Sequence, residues 1–437
     1  MSFDLELKSL NDEVRKYIPD HFTLKIKNNM FAGSSSQAST EIKCYRVDES
    51  RTYVTVPMGH WYHFCDRFIN EDYTSELPRV NLKSHKTPYT LQSDPKKYRD
   101  QNVVISQALE ILKTKRTVFL DLPTGFGKTS VGGILTAALG YKTLVLTQFE
   151  IVNEQWKSEF ETFTTAKVQY IKGNAAFDKE ADVYVCGIQK AANIPEECFY
   201  DIGTVIVDEA HVSTLTAFTK VLLRIKPQYL IGLSATPRRK DGLHTLFEMF
   251  FDNNVISRFE KKEFVVYKVT THYKPEIKYI NIFGQQRIDW TTVISSIASN
   301  TERQARIVDL VINTLSDTDR TMILSDRVEQ SENVYNLLLE KGIKAALLTG
   351  KVKKWDKECQ VLVASTKKAG VGFDDPKLKK IFIISDTTTV EQYEGRARCE
   401  NSEIYDIVDD YSTLEKHWLL REKWYTKKGA TIKTLEL

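Results

Sequence analysis

No apolar run in this chain approaches the roughly 18 residues that a membrane-spanning helix needs. The opening MSFDLELKSL lacks the basic-then-apolar order of a secretory signal. Membrane insertion and export are not expected, and a cytoplasmic protein is. Cysteine is scarce and scattered: Cys44, Cys65, Cys186, Cys198, Cys359 and Cys399 include no CxxC pair. That spacing argues against a structural zinc site and for free thiols in a reducing compartment. A charge excess is lacking too, since 61 Lys and Arg against 58 Asp and Glu leave a net charge of +3. No sequence repeat of solenoid period occurs. What remains is an ordinary soluble composition, 42% hydrophobic and 27% charged, in 437 residues. That length exceeds what one hydrophobic core usually serves, so two or three domains are expected.

Residues 1–95 hold short alternating segments, FTLKIK (22–27) and RTYVTVP (51–57), and a helical stretch near WYHFCDRFI (61–69). They read as a small β-containing domain, ending in a linker, SHKTPYTLQSDPKK (84–97). From 96 to 262 the pattern changes to apolar runs separated by helical stretches: TVFLDL, KTLVLT, VYVCG, TVIVDE and QYLIGLSAT. Such runs suit strands buried on both faces of a parallel sheet. The rhythm returns over 301–437 in TMILSD, KAALLTG, QVLVAST and KKIFIIS. The fold class is therefore α/β, with tandem parallel-sheet domains joined through a linker region, 263–300. The final stretch HWLLREKWYTKKGATIKTLEL reads as an amphipathic helix docked on the second domain.

PTGFGKT (123–129) lies directly between an apolar strand and a helical run. Gly125 and Gly127 let backbone N–H groups turn toward phosphates, and the helix opening at Lys128 aims its positive end at them. Lys128 would contact the β and γ phosphates, and the Thr129 hydroxyl would ligate magnesium. Where the general G-x-x-x-x-G-K-[ST] pattern has its first glycine, the chain has Leu122. Pro123, Thr124, Gly125, Phe126 and Gly127 line the loop, and Gln101 upstream is taken with them as nucleotide-binding. In VIVDEAH (205–211) an apolar strand ends in two carboxylates, where a parallel sheet presents its chemistry. Asp208 is placed to hold magnesium and Glu209 to polarise an attacking water, while His211 could report the nucleotide state. Ser234 and Thr236 in SATPRRKDG can couple the carboxylate region to a moving neighbour through hydrogen bonds.

PTGFGKT, DEAH and SATP in this order resemble motifs I, II and III of superfamily 2 helicases and translocases. The longer GLSATPRRKDGL (232–243) looks like the branch containing XPB-type repair helicases, restriction-enzyme motors and phage UvsW-type branch-migration helicases. The resemblance covers roughly 98–411 and implies two RecA-like domains, ATP with Mg2+, and DNA as partner, forked or branched. It implies nucleic-acid contacts at Gln148, in LVLTQFEIVNEQW, and at Gln189, in GIQ. In the second block TMILSDRVEQSENV resembles motif IV, with Arg327 as a contact, and ASTKKAGVGFDDP resembles motif V, with Thr366 on the strand backbone and Gly372 and Asp374 near the nucleotide. EQYEGRARCE resembles motif VI, whose arginines reach the nucleotide. Arg396 follows Gly395 as the pattern requires, whereas the usual second arginine falls at Cys399 and Arg398 is supplied instead. The basic clusters Lys83, Lys86, Lys96, Lys97, Arg99 and Lys351, Lys353, Lys354, Lys357 suit a polyanion, although solvated surface lysines read the same way. The compact build resembles phage or large-virus helicases, hence a place in the host cytoplasm and a monomer or weak oligomer. An RNA-acting or transcript-releasing motor and a non-catalytic binding module are the alternatives.

Overall fold

A run of aliphatic and β-branched residues that is apolar on both faces is stable only between two layers of other residues. Nearly every such run becomes an internal strand of a parallel sheet. The structure is a computed structural model that describes residues 1–26, 40–68, 76–86, 88, 100–148, 150–173, 176–208, 215–234, 244–259, 261, 263–282, 284–350, 355–366, 375, 377–388, 390 and 402–437. The chain divides into two compact units, Met1–Phe259 and Glu260–Leu437.

The first unit begins with β1 (Ser2–Glu6), α1 (Asp12–His21), β2 (Thr23–Ile26), β3 (Thr40–Lys43), β4 (Arg46–Val47), β5 (Tyr53–Pro57) and α2 (Trp61–Phe68). Strands β1, β5 and β4 form a small antiparallel sheet in that order, and β2 pairs with β3. Asn11 caps α1 by accepting the Val14 N–H at 2.9 Å, as short polar side chains do at helix starts. Then come α3 (Gln101–Lys115), β6 (Thr117–Asp121), α4 (Lys128–Leu139), β7 (Thr143–Thr147), α5 (Glu150–Phe163), β8 (Val168–Tyr170), β9 (Val183–Gly187), β10 (Thr204–Asp208), β11 (Tyr229–Ser234) and β12 (Val255–Ser257). Their strands form one sheet, ordered β12-β6-β11-β10-β7-β9-β8, with every pair parallel. One apolar cluster runs from Met1, Phe3 and Leu5 through Trp61 and Phe64 to Phe119, Leu144 and Val205, so the antiparallel sheet shares the core of the parallel one. Trp61 and Phe64 are buried there, and the Arg116 guanidinium lies 3.5 Å from the centre of the Trp61 ring. Tyr62 is exposed.

The second unit holds β13 (Phe264–Thr270), the antiparallel pair β14 (Tyr279–Ile282) and β15 (Gln285–Ile288), β16 (Arg320–Ser325), β17 (Ala345–Leu348), β18 (Val361–Ser365), β19 (Leu378–Ile383), β20 (Glu403–Val408) and β21 (Ala430–Glu436). All but β14 and β15 join one sheet, ordered β17-β18-β16-β19-β20-β13-β21, again parallel throughout. Two expectations are corrected here. The stretch 263–300 is more than a linker, because β13 pairs with β20 on one side and β21 on the other; its Phe264, Val266 and Val269 are buried. The C-terminal stretch is not a single helix. The helix Ser412–Lys428 stops at Gly429, whose φ of 99° is a left-handed cap, and the β-branched ATIKTLE that follows is the edge strand β21. Among the described residues no helix is long and apolar enough to cross a membrane.

That helix is pinned to its sheet by buried charge. Arg421, 2% exposed, forks onto Asp406, 0% exposed, with Nε–Oδ2 at 2.8 Å and Nη2–Oδ1 at 2.7 Å. Tyr425 donates to the same carboxylate at 2.9 Å. Arg421 also donates to the Thr387 carbonyl, and His417 meets Asp386 at 2.6 Å, where burial raises the Asp386 carboxyl above its ordinary pKa. Arg421→Ala leaves Asp406 buried without its guanidinium, a loss of about 3–5 kcal/mol. We expect a markedly lower urea midpoint for the unfolding of this unit, with Arg421→Lys falling between; an unchanged midpoint would show that the pair is not structural.

Candidate functional site

The site in the first unit follows from strand register. Strand β11 lies between β6 and β10, with Ser234 opposite Asp121 and Leu233 opposite Asp208. Because all three run the same way, the phosphate loop, the carboxylate strand and the SAT strand leave the sheet at one edge, the carboxyl edge where open α/β sheets bind ligands. The Leu122 N–H donates to the Ser234 carbonyl at 2.9 Å, so the loop starts in register with its neighbour.

The loop itself needs glycine for two separate reasons. Gly125 and Gly127 have φ of 85° and 91°, a region L side chains avoid. At Gly127, which opens α4, an added Cβ would also come within 2.5 Å of the Gln101 Nε2. That amide donates to the Phe126 carbonyl at 2.7 Å, and Gln101 is 1% exposed. Gln101 therefore braces the loop through its backbone. Pro123 is buried, Thr124 and Gly125 are half-buried, and Phe126 anchors the loop in the core. The Phe126 N–H donates to the Pro123 carbonyl at 3.2 Å. Lys128 Nζ donates back to the Leu122 carbonyl at 3.4 Å, close to the loop it would serve. Next to Thr129, the buried Ser130 Oγ has no hydrogen-bond partner. A cradle of left-handed glycines, the first-turn amides of a 12-residue helix, a lysine and a hydroxyl form a donor set that fits a phosphate.

Asp208, 9% exposed, ends β10. Its Oδ2 accepts the Nε1–H of Trp156 at 2.7 Å. The hydroxyl of Thr129 and the carboxylate of Asp208 are hard oxygen donors of the kind magnesium takes. Sequence reading did not single out Trp156, although it is the last residue of LVLTQFEIVNEQW; a tryptophan seven residues into a helix carries no sign of its partner.

The candidate nucleic-acid contacts fall on the same edges. Gln148 follows β7 and Gln189 lies in the short helix Ile188–Ala191 after β9, where Thr147 pairs with Gly187; Gln189 is exposed. In the second unit Arg327 follows β16, and Thr366 follows the adjacent β18. Thr366 is buried, and its hydroxyl donates to Asp326, whose N–H donates to Ser385 Oγ at 3.0 Å. Arg327 lines an open hollow with Lys278, the acidic Glu276 and Glu329, and Thr291 and Ser295. Glu209, His211, Thr236, Gly372, Asp374, Arg396 and Arg398 lie outside the described residues.

Residues 94–239 match the family model of the type III restriction enzyme res subunit. The helicase-named protein 161L of Invertebrate iridescent virus 6 is 35% identical over 376 residues, 77% of this chain and 82% of that one. The helicase-named protein 055L of Frog virus 3 is 31% identical over 345 residues, 76% and 78% of the two chains. Among solved structures, S. cerevisiae Dbp5 bound to RNA and ADP BeF3 is similar with a TM-score of 0.55, covering 76% of this chain and 89% of that one at 14% identity; at that identity the likeness is one of fold alone.

Gly127→Ala forces a side chain into left-handed backbone, costing about 1–2 kcal/mol, and drives its Cβ into Gln101. We expect nucleotide affinity to fall about tenfold or more, measured by titration with a fluorescent ATP analogue. Gln101→Leu, which removes one neutral hydrogen bond worth about 1 kcal/mol, should cost less. Equal affinities for all three proteins would mean that the loop does not hold the phosphates.

Proposed function

Because the chain belongs to the superfamily 2 helicases, we propose that it is an ATP-dependent DNA helicase and translocase that unwinds or branch-migrates forked and Holliday-type DNA. Its setting would be replication, recombination or repair, in the host cytoplasm. The observation that carries the ATP reading is the meeting of the phosphate loop, Asp208 and Ser234 at one carboxyl edge of one parallel sheet. The DNA reading rests on the resemblance of GLSATPRRKDGL to the repair and branch-migration branch.

The residues divide the work as follows. The amides of the loop and the first turn of α4, with Lys128, bind the β and γ phosphates. Asp208 and Thr129 would hold magnesium, which when bound neutralises charge on those phosphates. Glu209, the next residue after Asp208, accepts a proton from the attacking water. Arg396, and Arg398 beside it, supply guanidinium charge toward the γ-phosphoryl; such arginines contribute about 10³–10⁵ in rate. Gln148, Gln189 and Arg327 contact the nucleic-acid backbone, which positions the protein without reading sequence, whereas Thr366, buried and donating to Asp326, supports that edge from within.

Glu209→Gln should preserve binding of the fluorescent ATP analogue while abolishing phosphate release; retained turnover would remove Glu209 as the base. The substrate is tested by offering forks, Holliday junctions, overhang duplexes and RNA:DNA hybrids side by side, and reading ATPase stimulation and strand separation. We expect the branched DNAs to be processed fastest. Preference for the overhang duplex would remove the branch-migration reading, and preference for the hybrid would move the protein to the RNA-acting motors.

A further inference from the structure

Among the described residues, the buried Trp156 points its polar atom at a proposed catalytic group. Its indole is 1% exposed, deep enough that its N–H must find an acceptor inside the protein. Main-chain carbonyls are the usual acceptors in an α/β core. Here the acceptor is Oδ2 of Asp208, at 2.7 Å. That bond fixes the direction of one carboxylate oxygen, and a rigid ring leaves it little freedom to bend.

The opposite side of the ring meets the phosphate-loop helix. An ideal Cβ on Gly132, in the second turn of α4, would lie 2.8 Å from Cη2 of Trp156 and 3.2 Å from its Cζ3. Any residue but glycine there would push the ring out of its seat. Phe160, one turn further along α5, lies beside it with ring centres 5.6 Å apart. The indole is thus fixed by α4 on one side and by α5 on the other, and its single donor is spent on the carboxylate at the end of β10.

We propose that Trp156 is a positioning residue for magnesium: it sets the orientation of the Asp208 carboxylate and ties that carboxylate to the helix that carries the phosphate loop. This rests on the reading of Asp208 as a magnesium-holding residue given above. Partners that hydrogen-bond a metal-holding carboxylate are commonly worth about 10–100-fold in metal affinity or activity. A residue that only fills the core would affect stability and all binding alike, whereas a positioning residue affects the metal selectively.

The test uses the full chain and Trp156→Phe, which keeps an aromatic ring against Gly132 but removes the N–H. Three quantities are compared with the unsubstituted protein: the thermal midpoint, the affinity for a fluorescent ADP analogue in EDTA, and the magnesium concentration giving half-maximal binding of that analogue and half-maximal ATPase. We expect metal-free affinity to stay within about twofold and the magnesium half-saturation to rise about tenfold. Gly132→Ala, which displaces the same ring from the other side, should shift magnesium dependence in the same direction. An unchanged magnesium half-saturation in Trp156→Phe overturns the proposal. So does an equal loss in EDTA and in magnesium, which would make the tryptophan structural. If the unsubstituted protein itself shows no magnesium dependence of nucleotide binding or turnover, the failure lies in the underlying assignment of Asp208 and takes this proposal with it.

Discussion

The parallel register of β6, β11 and β10 is the constraint on which the first unit's candidate site depends. Ser234 opposite Asp121 and Asp208 opposite Leu233 mean that three segments distant in sequence finish at one level. A shift of one residue in β10 would turn Asp208 to the other face of the sheet, because side chains alternate along a strand. Register is held by burial on both faces: Val118, Leu120, Val205, Ile206, Leu230 and Ile231 are all fully buried. The polar ends of these strands are thus placed by their apolar middles, which is why a site of charged groups can be built on a core that has almost none.

The same logic decides what could be read in the sequence. Runs apolar on both faces, such as TLVLT and VYVCG, announce themselves, and the strands lie where those runs are. The positions of PTGFGKT and Asp208 were legible because the loop follows one such run and the carboxylate ends another. Strand β13 was harder, since FVVYKVT alternates buried and half-buried positions and is separated from its partners β20 and β21 by more than half the unit. Strand β21 was hidden behind a helix rich in the same residue types; only Gly429 marks the break. Local pattern identifies an element, but long-range pairing decides what it is next to.

The contacts that support the site were the least legible part, although Gln101 itself stands out in the sequence. Gln101 lies ahead of β6 and meets the loop from beneath, through the Phe126 carbonyl. Trp156 lies on a helix and reaches Asp208, 52 residues away. Neither contact follows from spacing, because both depend on how helices pack over the sheet. Two glycines record them indirectly. Gly127 leaves room for Gln101 and Gly132 leaves room for Trp156; Gly127 also needs its left-handed backbone, but Gly132 lies inside a helix that has no need of glycine and so marks a place where another side chain passes close to the backbone.

Buried carboxylates on or just beyond strands are held by different donors in the two units. In the second, Asp406 is held by Arg421 and Asp409 by Arg303, whose Nε lies 2.7 Å from Oδ1. A guanidinium fixes a carboxylate and cancels its charge together, which suits an acid that serves only to join a helix to a sheet. In the first, the indole N–H of Trp156 orients one oxygen of the Asp208 carboxylate. A guanidinium and an indole thus serve the same geometric end, since each fixes a buried carboxylate through a directed N–H on a ring or plane that cannot bend.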